Sequence, residues 1–84
     1  MIEVWIKAVN RSINSVIYEG LKKSYEHYLY ALHDMQKLLK NRDAYITSFN
    51  LPNEYYWKKG KSCYITCRHG NCRTTIYIKN HEKQ

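Results

Sequence analysis

The sequence predicts a single small α+β domain over residues 1–84, in which a long or broken N-terminal amphipathic helix packs on a C-terminal four-stranded antiparallel β-meander. Three observations lead there. Apolar or small residues recur at three-and-four spacing between Ser12 and Lys40, at Ile13, Val16, Ile17, Gly20, Leu21, Ser24, Tyr25, Tyr28, Leu29, Leu32, Met35, Leu38 and Leu39, which is the pattern of one helical face. From residue 44 the pattern changes to alternation. A chain of 84 residues also has room for only one core.

The first element, residues 1–9, is ambiguous in isolation. Ile2, Val4 and Ile6 alternate as in a strand, whereas Ile2, Trp5, Ile6 and Val9 share a helical face in phase with Ile13 and Val16. A straight helix from Ile2 to Lys40 would be about 58 Å long at 1.5 Å per residue, too long for a domain of this size. The reading taken is therefore helical for residues 1–41, with a break between Asn10 and Gly20. Asn10 or Ser12 would cap the new start and Gly20 would bend the chain; an N-terminal strand is the alternative. On the main helix, Leu21, Tyr25, Leu32 and Met35 are expected inside, and Lys22, Glu26 and Lys37 outside. Lys37, Lys40 and Arg42 suit the helix's negative end near Asn41.

Four strands fill residues 44–79: Ala44 to Phe49, Glu54 to Lys58, Ser62 to Cys67 and Arg73 to Lys79. Asn50, Pro52 and Asn53 supply the first turn, and Gly60 the positive φ of the second. If Arg68 to Asn71 form the last loop, Cys67 faces Cys72. Cys63, Ile65, Thr74, Ile76 and Ile78 then line the helix side, while Tyr64, Thr66, Arg73, Thr75, Tyr77 and Lys79 line the other. The tail 80–84 is polar and expected to fray.

Composition narrows the function. The formal charge is +7, which favours an acidic partner, either nucleic acid or an acidic surface of a nucleic-acid-handling protein. Lys, Asn, Ile and Tyr make up about two-fifths of the chain, and their A/T-rich codons fit a low-GC bacterium or a phage or mobile element within one. That bias alone would enrich Lys and Tyr. Apolar runs are far shorter than the roughly 20 residues of a membrane span, and no secretion signal is recognisable, so the expected location is the bacterial cytoplasm, without membrane association. Three cysteines, an odd number, fit a reducing compartment.

The stretch from Tyr55 to Asn80 contains Lys58, Lys59, Lys61, Arg68, Arg73 and Lys79 and no acidic residue; interleaved are Tyr55, Tyr56, Trp57, Tyr64 and Tyr77, with His69 at the hairpin tip. Aromatic rings that stack bases beside cations that neutralise phosphates are the components of a single-strand binding platform. The same residues also serve as ordinary strand formers and solvated lysines.

Cys63, Cys67, His69 and Cys72 have the spacing C-x3-C-x-H-x2-C. In an extended strand Cys63 and Cys67 lie about 13 Å apart at 3.3 Å per residue, too far to share a metal, and a site from Cys67, His69 and Cys72 would need a fourth ligand from elsewhere, so no metal or other cofactor is expected. The thiols act instead as small apolar groups, with a Cys67–Cys72 disulfide available on oxidation. His69 beside Arg68 and Arg73 is the minimal set for a metal-free ribonuclease, but a single loop histidine makes a thin active site. His27, His33 and Asp34 sit on the helix's outer face. The leading expectation is a non-catalytic nucleic-acid-binding protein. The alternatives are a small inhibitor or adaptor that blocks a nucleic-acid-handling protein, and a ribonuclease toxin. The continuous helical stripe adds homodimerisation as a further expectation.

Overall fold

The computed structural model describes residues 2–40 and 45–79, apart from the side chains of residues 38–40. The chain runs β1 (Ile2–Asn10), β2 (Ser15–Tyr25), α1 (Tyr28–Lys40), β3 (Tyr45–Asn50), α2 (Glu54–Lys58), β4 (Cys63–His69) and β5 (Cys72–Lys79). The five strands form one sheet in the order β2-β1-β5-β4-β3, with every pairing antiparallel. This overturns the expected long N-terminal helix on a four-stranded meander. Residues 2–25 are a β-hairpin whose first strand is interior to the sheet, between β2 and β5, and the main helix begins only at Tyr28.

Two register shifts explain the misleading periodicity of residues 13–25. The partner of Val4 is Lys23 but that of Trp5 is Leu21; the partner of Ala8 is Tyr18 but that of Val9 is Val16. Lys22 and Ile17 are thus extra residues, each forming a β-bulge on β2. Every bulge turns a two-residue repeat into a three-residue one, so Val16, Glu19, Leu21 and Ser24 share a face at spacings of three, two and three. A helix and a doubly bulged strand then look alike. Leu21, expected inside a helix, sits on this edge strand and is 45% exposed. Gly20 does not bend a helix either: the Tyr18 ring lies across the space its missing side chain leaves, with the hydroxyl 2.7 Å from where a Cβ would stand.

The polar residues assigned to helix capping make the hairpin turn instead. Asn10 accepts the Ser12 amide through Oδ1 at 3.0 Å, an Asx-turn, and Asn14 adopts φ 50°, a left-handed conformation that asparagine tolerates better than most residues.

A second correction concerns Glu54–Lys58, expected as a strand and found as the one-turn helix α2. Asn53 caps it, accepting the Tyr56 amide at 3.1 Å. At the other end the Gly60 amide donates to the Trp57 carbonyl and the Lys61 amide to the Tyr56 carbonyl. These paired bonds are a Schellman ending, and Gly60 at φ 112° supplies its left-handed residue. Gly60 therefore ends a helix and does not turn a hairpin.

The core lies between one face of the sheet and the helices. Val4 and Ile6 of β1, Cys63 and Ile65 of β4, and Ile76 and Ile78 of β5 meet Tyr28, Ala31 and Met35 of α1 and Trp57 of α2. Fully burying side chains of this kind stabilises the fold by about 1.5–3 kcal/mol each. Tyr28 is the junction. Its ring stacks on Trp57 at 4.8 Å, its hydroxyl donates to the Pro52 carbonyl, and the same oxygen lies 3.4 Å from Cys63 Sγ. Burial pushes the Tyr28 phenol and the Cys63 thiol above their ordinary pKa values. Of the expected stripe, Tyr28, Ala31 and Met35 are buried and Leu32 is partly buried, while Leu29 is 65% exposed. Lys22, Glu26 and Lys37 are exposed, as expected. The expected helix end at Asn41, the charge at Arg42, the strand start at Ala44 and the frayed tail 80–84 lie outside the described residues.

The last hairpin keeps the expected faces with a different register. Its loop is only Gly70–Asn71, with Gly70 at φ 59°, and the pairs are Cys67 with Thr74, Ile65 with Ile76 and Cys63 with Ile78. A slip of two residues preserves which side of the sheet each residue faces. It does separate Cys67 from Cys72, which pairs with His69. The two thiols are diagonal neighbours, about 7–8 Å apart between backbones, beyond the reach of a disulfide without backbone movement.

Candidate nucleic-acid interface

The face of the sheet turned away from the helices carries its side chains in rows that cross the strands. Strand pairing puts Trp5 of β1 opposite Tyr77 of β5, and Tyr77 opposite Tyr64 of β4. Three aromatic side chains thus stand abreast on three adjacent strands, about 4.8 Å apart, and all are half-buried. Two residues along, Lys7, Thr75, Thr66 and Ser48 form a second row; two further, Val9, Arg73, Arg68 and Tyr45 form a third. On the other flank of the aromatic row lie Glu3 and Lys79.

The aromatic row is held in place by polar contacts. The Trp5 indole donates to Glu3 Oε1 at 2.9 Å, and the Lys79 ammonium lies over the Trp5 ring, 4.2 Å from its centroid. The Tyr77 hydroxyl donates to Glu19 Oε2 at 3.0 Å. Burial, reinforced by this carboxylate, pushes the Tyr77 phenol up to about 12, so at neutral pH it is a fixed donor and an uncharged stacking surface.

Two open depressions flank the row. One, of about 400 Å³, is lined by Lys61, Tyr64, Thr75, Tyr77 and Lys79 with the turn 60–63. The other, of about 410 Å³, is lined by Lys7, Val9, Thr47, Ser48, Thr66, Arg73 and Thr75. Neither has an acidic residue in its lining. Among the described residues the one ion pair is Lys58 to Glu54, at 3.5 Å within α2.

The residues singled out in the sequence are therefore divided. Tyr64, Arg73, Tyr77 and Lys79 share the open face, Arg68 extends it towards the last turn, and Lys61 sits at its opposite end. Tyr55, Tyr56 and Lys58 are exposed on α2, in the helical layer, and the exposed Lys59 at its C-terminal cap lies 4.6 Å over the Tyr55 ring. Trp57 is 2% exposed and belongs to the core. His69 lies beside the β4–β5 turn. Trp5, Lys7, Thr47 and Ser48 were missed. The alternation of Ile2, Val4 and Ile6 was the signal for the first two, since it puts Glu3, Trp5 and Lys7 on the opposite side. Thr47 falls at the β3 register shift, which no alternation rule anticipates.

Among the described residues no group of three or more His, Cys, Asp or Glu side chains is placed to hold a metal ion, and no helix is long and apolar enough to cross a membrane. Comparison with models of known families, with curated proteins and with solved structures finds no match.

Proposed function

We propose that the protein is a non-catalytic binding protein that docks single-stranded nucleic acid on the open face of its sheet. The observation that carries this reading is the row Trp5–Tyr77–Tyr64 across three adjacent strands, with Lys79 and Lys61 on one flank and Lys7, Arg73 and Arg68 on the other. Bases stack on aromatic rings whatever their identity, and cations at the same spacing neutralise the backbone. In the free protein the Lys79 ammonium covers the Trp5 ring; a stacking base would take that place and release the ammonium to a phosphate.

Trp5 also provides the assay. It is half-buried on the binding face whereas Trp57 is enclosed, so oligonucleotide binding should quench the emission of a Trp57→Phe variant, which reports Trp5 alone. Binding should weaken steeply with salt, as phosphate neutralisation requires. Absence of quenching and of any mobility shift at low salt with DNA and RNA oligomers would end this reading.

A second reading is supported by the sheet edges. Val16, Ile17, Tyr18 and Leu21 on β2, and Tyr45, Ile46 and Phe49 on β3, are between 45% and 72% exposed. Apolar edge strands favour a protein partner, as an inhibitor or adaptor of a nucleic-acid-handling protein would require. Capture of one protein that survives nuclease treatment, together with failure of the oligonucleotide assay, would establish it in place of the first.

A further inference from the structure

The second depression differs in chemistry from the aromatic row beside it. Four of its lining side chains bear hydroxyls, at Thr47, Ser48, Thr66 and Thr75, and two are cations, Lys7 and Arg73. Their hydrogen bonds define what it can accept. Thr66 Oγ1 and Thr75 Oγ1 are 3.1 Å apart, so one hydroxyl donates to the other and the second proton of the pair remains to be placed. Thr47 donates to the Thr66 carbonyl at 3.2 Å. Lys7 and Arg73 add up to eight N–H donors between them and no acceptor. Donors therefore outnumber acceptors, and the charge of the lining is positive. Such a site fits an oxyanion.

Glu19 stands opposite Lys7 on β2. It accepts the Tyr77 hydroxyl and is not part of the lining. It tempers the positive potential at the Lys7 end and leaves the Arg73 end dominant, where Arg68 stands directly opposite Arg73. Two arginines abreast on one sheet face repel each other unless an anion lies between or above them.

We propose that this depression is the seat of a backbone phosphate, and that a single strand crosses the sheet perpendicular to its β-strands with bases on the Trp5–Tyr77–Tyr64 row and phosphates along Lys7, Thr75, Thr66 and Arg73. The proposal rests on the nucleic-acid reading above and adds to it a polarity: bases to one side, backbone to the other. The spacing suits this arrangement. Two residues along a strand carry the chain roughly 6.6 Å, comparable with the reach from a stacked base to its own phosphate, and the rows are parallel.

The test is titration of the full-length protein with a labelled oligothymidylate of about eight nucleotides, a length within the usual range for one small binding domain, and with the same oligomer carrying uncharged methylphosphonates at its central linkages. Arg73→Gln should weaken binding of the natural oligomer about tenfold and lower the salt slope by about one unit. The nearly isosteric Thr75→Val should weaken it about threefold, the order expected for one hydrogen bond. The Arg73→Gln loss should shrink towards none on the methylphosphonate oligomer, because the phosphate charge it serves is gone, whereas the Thr75→Val loss should shrink less, since a phosphoryl oxygen remains to accept the hydroxyl. An equal Arg73→Gln loss on the two backbones, or no loss from either variant on the natural oligomer, would overturn the seat while leaving nucleic-acid binding standing. Failure of the wild-type protein to bind the natural oligomer at low salt would overturn the broader reading instead. Displacement of the oligomer by inorganic phosphate, but not by chloride of equal ionic strength, would reassign the seat to a free phosphate. Circular dichroism of both variants separates lost contacts from lost fold.

Discussion

Tyr77 and Glu19 are hydrogen-bonded at 3.0 Å across 58 residues of sequence, and β1 runs between the strands that carry them. The bond ties the edge strand β2 to the centre of the open face and fixes the Tyr77 ring at the middle of the aromatic row. It also places a carboxylate next to a surface that is otherwise rich in cations.

That carboxylate makes a directional prediction. Glu19→Gln should strengthen oligonucleotide binding, since it removes a negative charge near Lys7 while leaving an amide oxygen for the Tyr77 hydroxyl. Weakened binding in the same titration would mean that Glu19 does more for the face by ordering Tyr77 than it takes away by repulsion.

Tyr77→Ala removes the central ring of the row and should reduce binding by about 1–3 kcal/mol, the usual contribution of one stacked base. Lys79→Ala should lower the salt slope by about one unit. Both chains should remain folded, because neither side chain supports the helix-side core; thermal melts beside the binding curves check this.

Alkaline pH should destabilise the protein. The phenols of Tyr25 and Tyr77 are each pushed up to about 12, in both cases first by burial and then by the carboxylate they serve, Asp34 and Glu19 respectively. Their unfolded counterparts ionise near 10. The unfolded state therefore releases protons first, so stability is unaffected by these groups below pH 10 and falls as pH rises from 10 towards 12. Spectrophotometric titration should show a late-ionising class that disappears on unfolding.

Within the core, Met35→Ala should cost about 2–5 kcal/mol, because Met35 is fully buried and its loss leaves a cavity. Leu32→Ala should cost less, since Leu32 only borders the cluster. Gly60→Ala should cost about 1 kcal/mol or more through its positive φ, and Asn53→Ala about 1 kcal/mol through the lost cap. Urea unfolding measures all four; a near-neutral Gly60→Ala would contradict the Schellman ending of α2.

Oxidation should leave the monomer without a Cys67–Cys72 bond, as the two cysteines are not paired across the hairpin. Thiol reagents should modify the half-exposed Cys72 well before the buried Cys63 and Cys67. Rapid loss of two thiols together under mild oxidant would show that the register slips in solution.

The sequence by itself determined the two faces of the last hairpin. Alternation of Cys63, Ile65 and Cys67 against Tyr64 and Thr66, and of Thr74, Ile76 and Ile78 against Arg73, Thr75 and Tyr77, survives any slip of two residues, so the inner and outer sets were legible even with the register wrong. It also identified Tyr64, Arg73, Tyr77 and Lys79 as a group, because they lie within two adjacent strands. Tertiary structure alone decided the rest. Bulges at Ile17 and Lys22 appear only when β2 is laid against β1, and without the partner strand their three-residue spacing is that of a helix. Whether Gly60 ends a helix or turns a hairpin depends on whether Trp57 finds the Tyr28 ring to stack on, a contact between residues 29 positions apart. The open face proposed for binding became whole only when β1 paired with β5, bringing Trp5 and Lys7 beside Tyr77 and Thr75. Side-chain alternation is written locally in the chain, whereas the choice of neighbouring strand is made by the burial of Val4, Ile6, Ile76 and Ile78 against one helix, and no local pattern records it.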